Sequence, residues 1–328
     1  MSLTRPTADA VRPGTGRAVA VLVLVAVAAL IPLLGPRVAL DGTGEAAAPG
    51  AGGIAVLRTV LFAALCIPAG ELFAAWLARR VPGAPAEAPR SWAPHAAAAG
   101  FVAALGLASV VATGNLVPGG LADIDVGGLY ETRDGKLALL EVNAFAAAGL
   151  CALSRRPATQ AWPLAAVAVA EALRAHPTTE HTPLAGSGLT LVHVVCAALW
   201  VGGLLHVLRM LRRWGGTEAG AALLGLYARV AAVLLAAITA TGVWSTLRRM
   251  PPDTVLEQLT TTAYGRVLLA KVLLVAVVAV LALVSRVRLA RASDPLSACS
   301  PARAEVVALG AVVAVSAVLT ALPVPIRW

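Results

Sequence analysis

The residues best suited to chemistry sit close together on one apolar stretch. It reads Leu191-Val192-His193-Val194-Val195-Cys196-Ala197-Ala198-Leu199-Trp200-Val201-Gly202-Gly203-Leu204-Leu205-His206. On a helix of about 3.6 residues per turn, His193 and Cys196 stand roughly 60° apart, and Trp200 returns to the same face two turns on. An imidazole nitrogen and a thiol sulfur on one face suit Cu(I). The same pair also reads as a histidine bonded to a neighbour beside an inert buried thiol. Gly202 and Gly203 leave room for a neighbouring helix or an ion path. His206 is rotated by roughly 220° from His193, so it reads either as a lower relay site or as a packed core histidine. His176 and His181 fall in the loop before this stretch. His176 and His193 are therefore expected together at one mouth of two adjacent antiparallel helices, with Glu171 and Glu180 as the nearest acids to draw a cation in. The plain alternative is a pair of polar loop residues.

The elements that must position these groups are membrane spans. Of 328 residues, 59% are hydrophobic and 13% charged, against roughly 25% charged in an ordinary soluble domain. Runs near the roughly 20 apolar residues needed to cross a bilayer recur. Nine are read, at about 18–35, 54–78, 95–114, 137–153, 160–174, 188–210, 222–246, 263–285 and 304–323, the fifth being short. The expectation is an all-α polytopic bundle: one extra N-terminal helix and an eight-helix core. Arginines concentrate in alternate loops, at Arg5, Arg12 and Arg17, Arg79, Arg80 and Arg90, Arg155 and Arg156, Arg209, Arg212 and Arg213, then Arg286, Arg288, Arg291 and Arg303. The positive-inside rule puts those loops, and the N-terminus, in the cytoplasm and the C-terminus outside. The first span follows three arginines like a signal peptide, but Gly35-Pro36-Arg37 is a poor cleavage site, which favours a retained anchor. The chain divides into residues 1–53 (tail, anchor and outer linker), 54–174 (four core helices) and 175–328 (the histidine-bearing module).

The net charge of +9 comes from these loops, and no aromatic-basic interleaving points to nucleic acid. Four scattered cysteines without a CxxC argue against a disulfide framework, an iron–sulfur site or c-type haem. No phosphate-binding loop is present, and no nucleophile–base pair suggests an enzyme. Other ionisable residues in the spans are Arg58, Glu71, Glu141, Glu171, Arg229, Arg266, Lys271 and Glu305. Such groups are costly in lipid. Arg58 and Arg266 are placed to snorkel to the outer surface, and Arg229 and Glu305 to pair near the inner one. Lys271 is expected to face the bundle or an acid rather than lipid, and a pairing with Glu71 is one arrangement open to it.

From residue 175 onward the chain resembles the copper resistance D family. His176 matches that family's loop histidine, His193 its helix histidine, and Trp200-Val201-Gly202-Gly203-Leu204 its Trp/Gly-Gly motif. Thr241-Gly242-Val243-Trp244, Tyr264-Gly265-Arg266 with Leu268-Leu269-Ala270-Lys271, Arg303-Ala304-Glu305 and Leu322-Pro323-Val324-Pro325 follow in the family's order. The extra first span resembles actinobacterial members. The resemblance implies a multi-pass protein of the bacterial plasma membrane that moves copper toward the cytoplasm, supplied by a separate extracytoplasmic copper-binding chaperone. Some members are joined to a cytochrome c oxidase assembly module, which makes oxidase assembly a second reading and its proteins a second class of partner.

The sites expected to hold copper are His176 and His193 where the ion enters, Cys196 one turn deeper and His206 as a relay. Lys271 and Glu305 are expected to stabilise the bundle. A b-type membrane cytochrome is the remaining alternative, because histidines thirteen apart on one helix can serve two stacked haems. His176 and His95 would then complete the ligand pairs.

Overall fold

The computed structural model describes residues 15–46, 48–114, 117–176, 178, 182–215, 217–250, 252–291 and 299–323. These residues form helices and connections, with no strand among them. The long helices are α1 (Thr15–Leu40), α2 (Ala51–Ala78), α3 (Ala93–Ala112), α5 (Arg133–Leu153), α6 (Ala161–Arg174), α7 (Pro183–Trp214), α8 (Glu218–Arg249), α10 (Ala263–Arg291) and α11 (Cys299–Thr320). Two short helices, α4 (Val126–Glu131) and α9 (Val255–Thr261), lie in the connections before α5 and α10. Each expected span coincides with one long helix. Six helical segments are long and apolar enough to cross a bilayer: α2, α3, α5, α7, α8 and residues Ala263–Val284 of α10. The fold is an all-α polytopic membrane bundle. With 14 residues, α6 is about 21 Å long, short of a hydrocarbon core of roughly 30 Å.

Local chemistry sets several boundaries. Thr132 caps α5, its hydroxyl accepting from the Gly135 N–H at 3.1 Å, and Thr217 caps α8 by accepting from Gly220 N–H at 3.2 Å. These hydroxyls satisfy backbone donors that the first helical turn leaves orphaned. Gly215 ends α7 with φ of 68°, a value that favours glycine.

At the centre of the bundle, α2 packs on α3, α7, α1 and α11, while α5 packs on α3 and α6. The α2–α7 crossing is close enough to require glycine on both sides. A Cβ on Gly202 would overlap the Cys66 carbonyl, and one on Gly70 would overlap the Gly202 backbone. The paired glycines thus serve helix approach, the small-residue packing of membrane interfaces. Beyond this centre, α8 leans on α7 and α10 on α11, and α8 and α10 make no extended packing contact with each other. The space between them is walled behind by α2, α7 and α11.

Polar contacts tie the two ends of the bundle. At one, called the Arg249 end, Arg248 donates to Thr182 Oγ1 at 2.9 Å and Arg249 to the Tyr264 hydroxyl at 3.0 Å. At the other, the Arg209 end, Trp214 donates to the Glu87 carbonyl at 2.8 Å and the Arg209 guanidinium lies 3.7 Å from the Trp92 ring centre.

Candidate functional site

The space between α8 and α10 is a cavity of about 230 Å³. Each wall contributes a helical stripe: Thr190, His193, Ala197 and Val201 from α7, Ile238, Gly242, Ser245 and Arg249 from α8, and Tyr264, Leu268, Lys271 and Val275 from α10. Cys66 of α2 and Ser316 and Thr320 of α11 close the back. Arg249, Tyr264 and Ala175 sit at the mouth. Eight residues of helix separate Thr241 from Arg249 and seven separate Lys271 from Tyr264, so the His193–Thr241 level and Lys271 both lie roughly 10–12 Å in.

His193 is held in a defined tautomer. Thr241 Oγ1 donates to the Ala237 carbonyl at 2.7 Å, with the Ile238 carbonyl as a second acceptor at 3.1 Å. Its lone pair is thereby turned to the His193 ring, whose Nδ1 lies 3.0 Å away. The proton belongs on Nδ1, an assignment made from this network, and Nε2 keeps its lone pair. That arrangement, one ring nitrogen fixed by a hydrogen bond and the other open, is how proteins present imidazole to a metal. The ring packs against Gly242, where a Cβ would make ordinary contact 3.6 Å from Cε1.

The other expected metal residues lie elsewhere. His176 is buried rather than open at a mouth, its Nε2 2.9 Å from Thr190 Oγ1 and its ring packed on Gly186. Thr190 also lines the cavity, one turn from His193, so the two histidines lie at the same end and are linked through that threonine. Cys196 does not line the cavity and packs among the apolar residues between α7 and α8. The thiol in the cavity is Cys66. His206 lies near the Arg209 end, roughly 20 Å along α7 from His193, with Nδ1 3.9 Å from Glu71 Oε1. His181 and Glu180 fall outside the described residues. For the paired-haem arrangement, His176 is engaged by Thr190, and His95 is exposed in the first turn of α3. Among the described residues no group of three or more His, Cys, Asp and Glu is placed to hold a metal.

The charged residues correct three expectations. Glu71 does not pair with Lys271. It accepts from Ser91 Oγ at 2.6 Å, the Trp92 N–H at 2.7 Å and Arg209 at 3.2 Å. Arg58 does not snorkel: it meets Glu171 at 2.8 Å. Glu171 is consequently no lure for a cation, because Arg174 also reaches it at 3.7 Å while forming an ion pair with Glu141 at 2.8 Å. Two acids and two arginines form a neutral quartet between α2, α5 and α6. Lys271, by contrast, has no hydrogen bond or ion pair among the described residues.

Cys66, Arg249, Tyr264 and Lys271 are the cavity residues that motif reasoning passed over or gave a structural role. Their signal was periodicity: Tyr264, Leu268, Lys271 and Val275 recur at i, i+4, i+7 and i+11, one face of a helix, and Gly242, Ser245 and Arg249 follow the same pattern on α8.

Residues 221–319 match the model of the family described as Copper resistance protein D. The match takes in the α8, α10 and α11 walls of the cavity and stops short of His176, His193 and the Trp200–Leu204 segment. Searches of curated proteins and of solved structures gave no significant match.

Proposed function

We propose that this chain, a multi-pass plasma-membrane protein belonging to the copper resistance protein D family, carries copper across the membrane toward the cytoplasm through the cavity between α8 and α10. The observation that carries this reading is the His193 imidazole, pinned at Nδ1 by Thr241 and lining a cavity inside the bundle. Its Nε2 is the first ligand, and Cys66, at the depth of Gly202 and so roughly 13 Å further along α7, offers a donor of the soft kind Cu(I) prefers deeper in the same cavity. The chain acts as a carrier rather than an enzyme.

The Arg249 end faces outward in this reading, because the arginine-rich loops lie at the opposite end. A separate extracytoplasmic copper-binding protein delivers the ion at the mouth formed by Ala175, Arg249 and Tyr264. His176 takes a positioning role: through Thr190 it braces the turn of α7 that carries His193. At the far end, Glu71, His206 and Arg209 are the polar groups the ion meets on leaving.

Copper uptake into proteoliposomes or into cells lacking other importers tests this. His193→Ala is expected to lower uptake by tenfold or more, with Cys66→Ser intermediate. Wild-type rates in a well-expressed His193→Ala variant would rule the pathway out.

A further inference from the structure

We propose that the cavity binds a small monovalent anion, a halide or a carboxylate, paired to Lys271, so that copper is held there as a metal–anion pair and not as a bare cation. The metal half of this statement rests on the function proposed above; the anion half does not.

The argument begins with the charges. Among the described residues the titratable side chains lining the cavity are Cys66, His193, Arg249, Tyr264 and Lys271, with no aspartate or glutamate. Of the buried acids outside the lining, Glu141 and Glu171 are committed to arginines of the quartet and Glu71 to Ser91, Trp92 and Arg209, while Glu305 lies on α11. Among the described residues Arg249 bonds neutral groups, the Tyr264 hydroxyl at 3.0 Å and the Ala175 carbonyl at 3.4 Å. Two cations therefore line one cavity within the bundle, and Lys271 has no partner among the described residues. Ions inside a bilayer protein pair with one another or mark an ion site, and these two do not pair.

The hydrogen-bond inventory points the same way. Thr246, Ser316 and Thr320 donate their hydroxyl protons to carbonyls of their own helices. The Tyr264 oxygen accepts from Arg249, which leaves its own proton to give. The donors left facing the cavity are then the Lys271 ammonium and the hydroxyls of Tyr264 and Ser245, backed by the Arg249 charge, a set that recognises an acceptor of negative charge.

The metal chemistry fits this. A bare Cu(I) ion beside His193 would share its cavity with two positive charges. An anion bound to Lys271 cancels one charge and completes the coordination that a single imidazole leaves short. Binding is ligand addition alone, with no change in oxidation state and no bond broken in the protein.

Equilibrium dialysis of purified, copper-free protein against radiolabelled chloride tests the anion directly. Wild type is expected to show saturable binding, with formate as competitor separating a halide-only site from one that also takes carboxylates. Lys271→Met should weaken chloride by about tenfold or more, and Lys271→Arg, which keeps the charge, should stay within about threefold of wild type. The proposal is overturned by absence of saturable chloride or formate binding to the wild-type protein, by unchanged binding in Lys271→Met, or by Lys271→Arg behaving as the methionine variant. The wild-type arm decides even if a variant does not fold. Copper is absent throughout, so a copper-uptake result for His193→Ala leaves this outcome untouched.

Discussion

Replacing Arg174 by methionine isolates the energetics of the buried quartet. The Arg174 side chain is 11% exposed and Glu141, its partner at 2.8 Å, is 1% exposed. Removing the guanidinium leaves two carboxylates, Glu141 and Glu171, facing Arg58 alone. Breaking a buried pair by deleting one partner costs about 3–5 kcal/mol, because the surviving charge is stranded. Deleting both members is far milder, since the desolvation of both ions is relieved together. Arg174→Met is therefore expected to lose about 3–5 kcal/mol. Arg174→Met with Glu141→Leu should lose no more than about 1–2 kcal/mol, the Arg58–Glu171 bond at 2.8 Å surviving. Reversible denaturant unfolding in mixed micelles, run as a double-mutant cycle, gives both numbers and their coupling. An Arg174→Met loss below about 1 kcal/mol, the range of exposed pairs, or a double variant no better than the single one, would refute the claim that the quartet is closed off from solvent. The result bears on the cavity because α6 ends beside Ala175, which lines it.

Two further perturbations test the walls. Gly202→Ala should destabilise by about 1–3 kcal/mol, read by thermal unfolding in detergent, because its Cβ would meet the backbone of α2 and not a movable side chain. Thr241→Val keeps the shape of the side chain and removes the hydroxyl that holds His193 Nδ1; copper affinity should fall by about tenfold, while Thr241→Ser, which restores the hydroxyl, should recover most of it.

The bundle was legible in the sequence because crossing a bilayer demands long apolar runs, and composition alone reveals them. Thr132 and Thr217 mark helix starts by the same local logic. His193 was legible as a residue facing the bundle interior because its spacing from Trp200 and Gly202 fixes a face of α7. Which face met which neighbour was not. Cys196 shares a side of α7 with His193 by angle, yet the tight crossing at Gly70 and Gly202 sets the helix so that Cys66 of α2, 130 residues away in the chain, supplies the thiol in the cavity. Glu71 and Lys271 attracted each other on paper as the two deep charges. Their partners were decided by helix ends: the Ser91–Trp92 turn brings two donors to Glu71, and no sequence rule places that turn. His176 looked like a loop residue, and its burial follows from Gly186, whose missing side chain admits the ring.

Three of the groups of charged residues within the bundle can be compared without reference to motifs. The Arg58–Glu141–Glu171–Arg174 quartet balances two positive against two negative charges at contact distance. At the Arg209 end, Glu71 answers Arg209 and is satisfied further by a hydroxyl and a backbone N–H. Both groups do what a structural polar cluster must, cancelling the cost of taking charge out of water. The third group, Lys271 with Arg249, carries like charges around a cavity that has no acid among the described lining residues. Packing alone gives no reason to keep it, since an apolar residue at 271 would fill the same wall without an unpaired ammonium. A cost of that kind is retained where a ligand offsets it. The open Nε2 of His193 lies at the depth where that ligand would sit, so the electrostatics and the tautomer, which are independent observations, select the same few ångströms of the molecule.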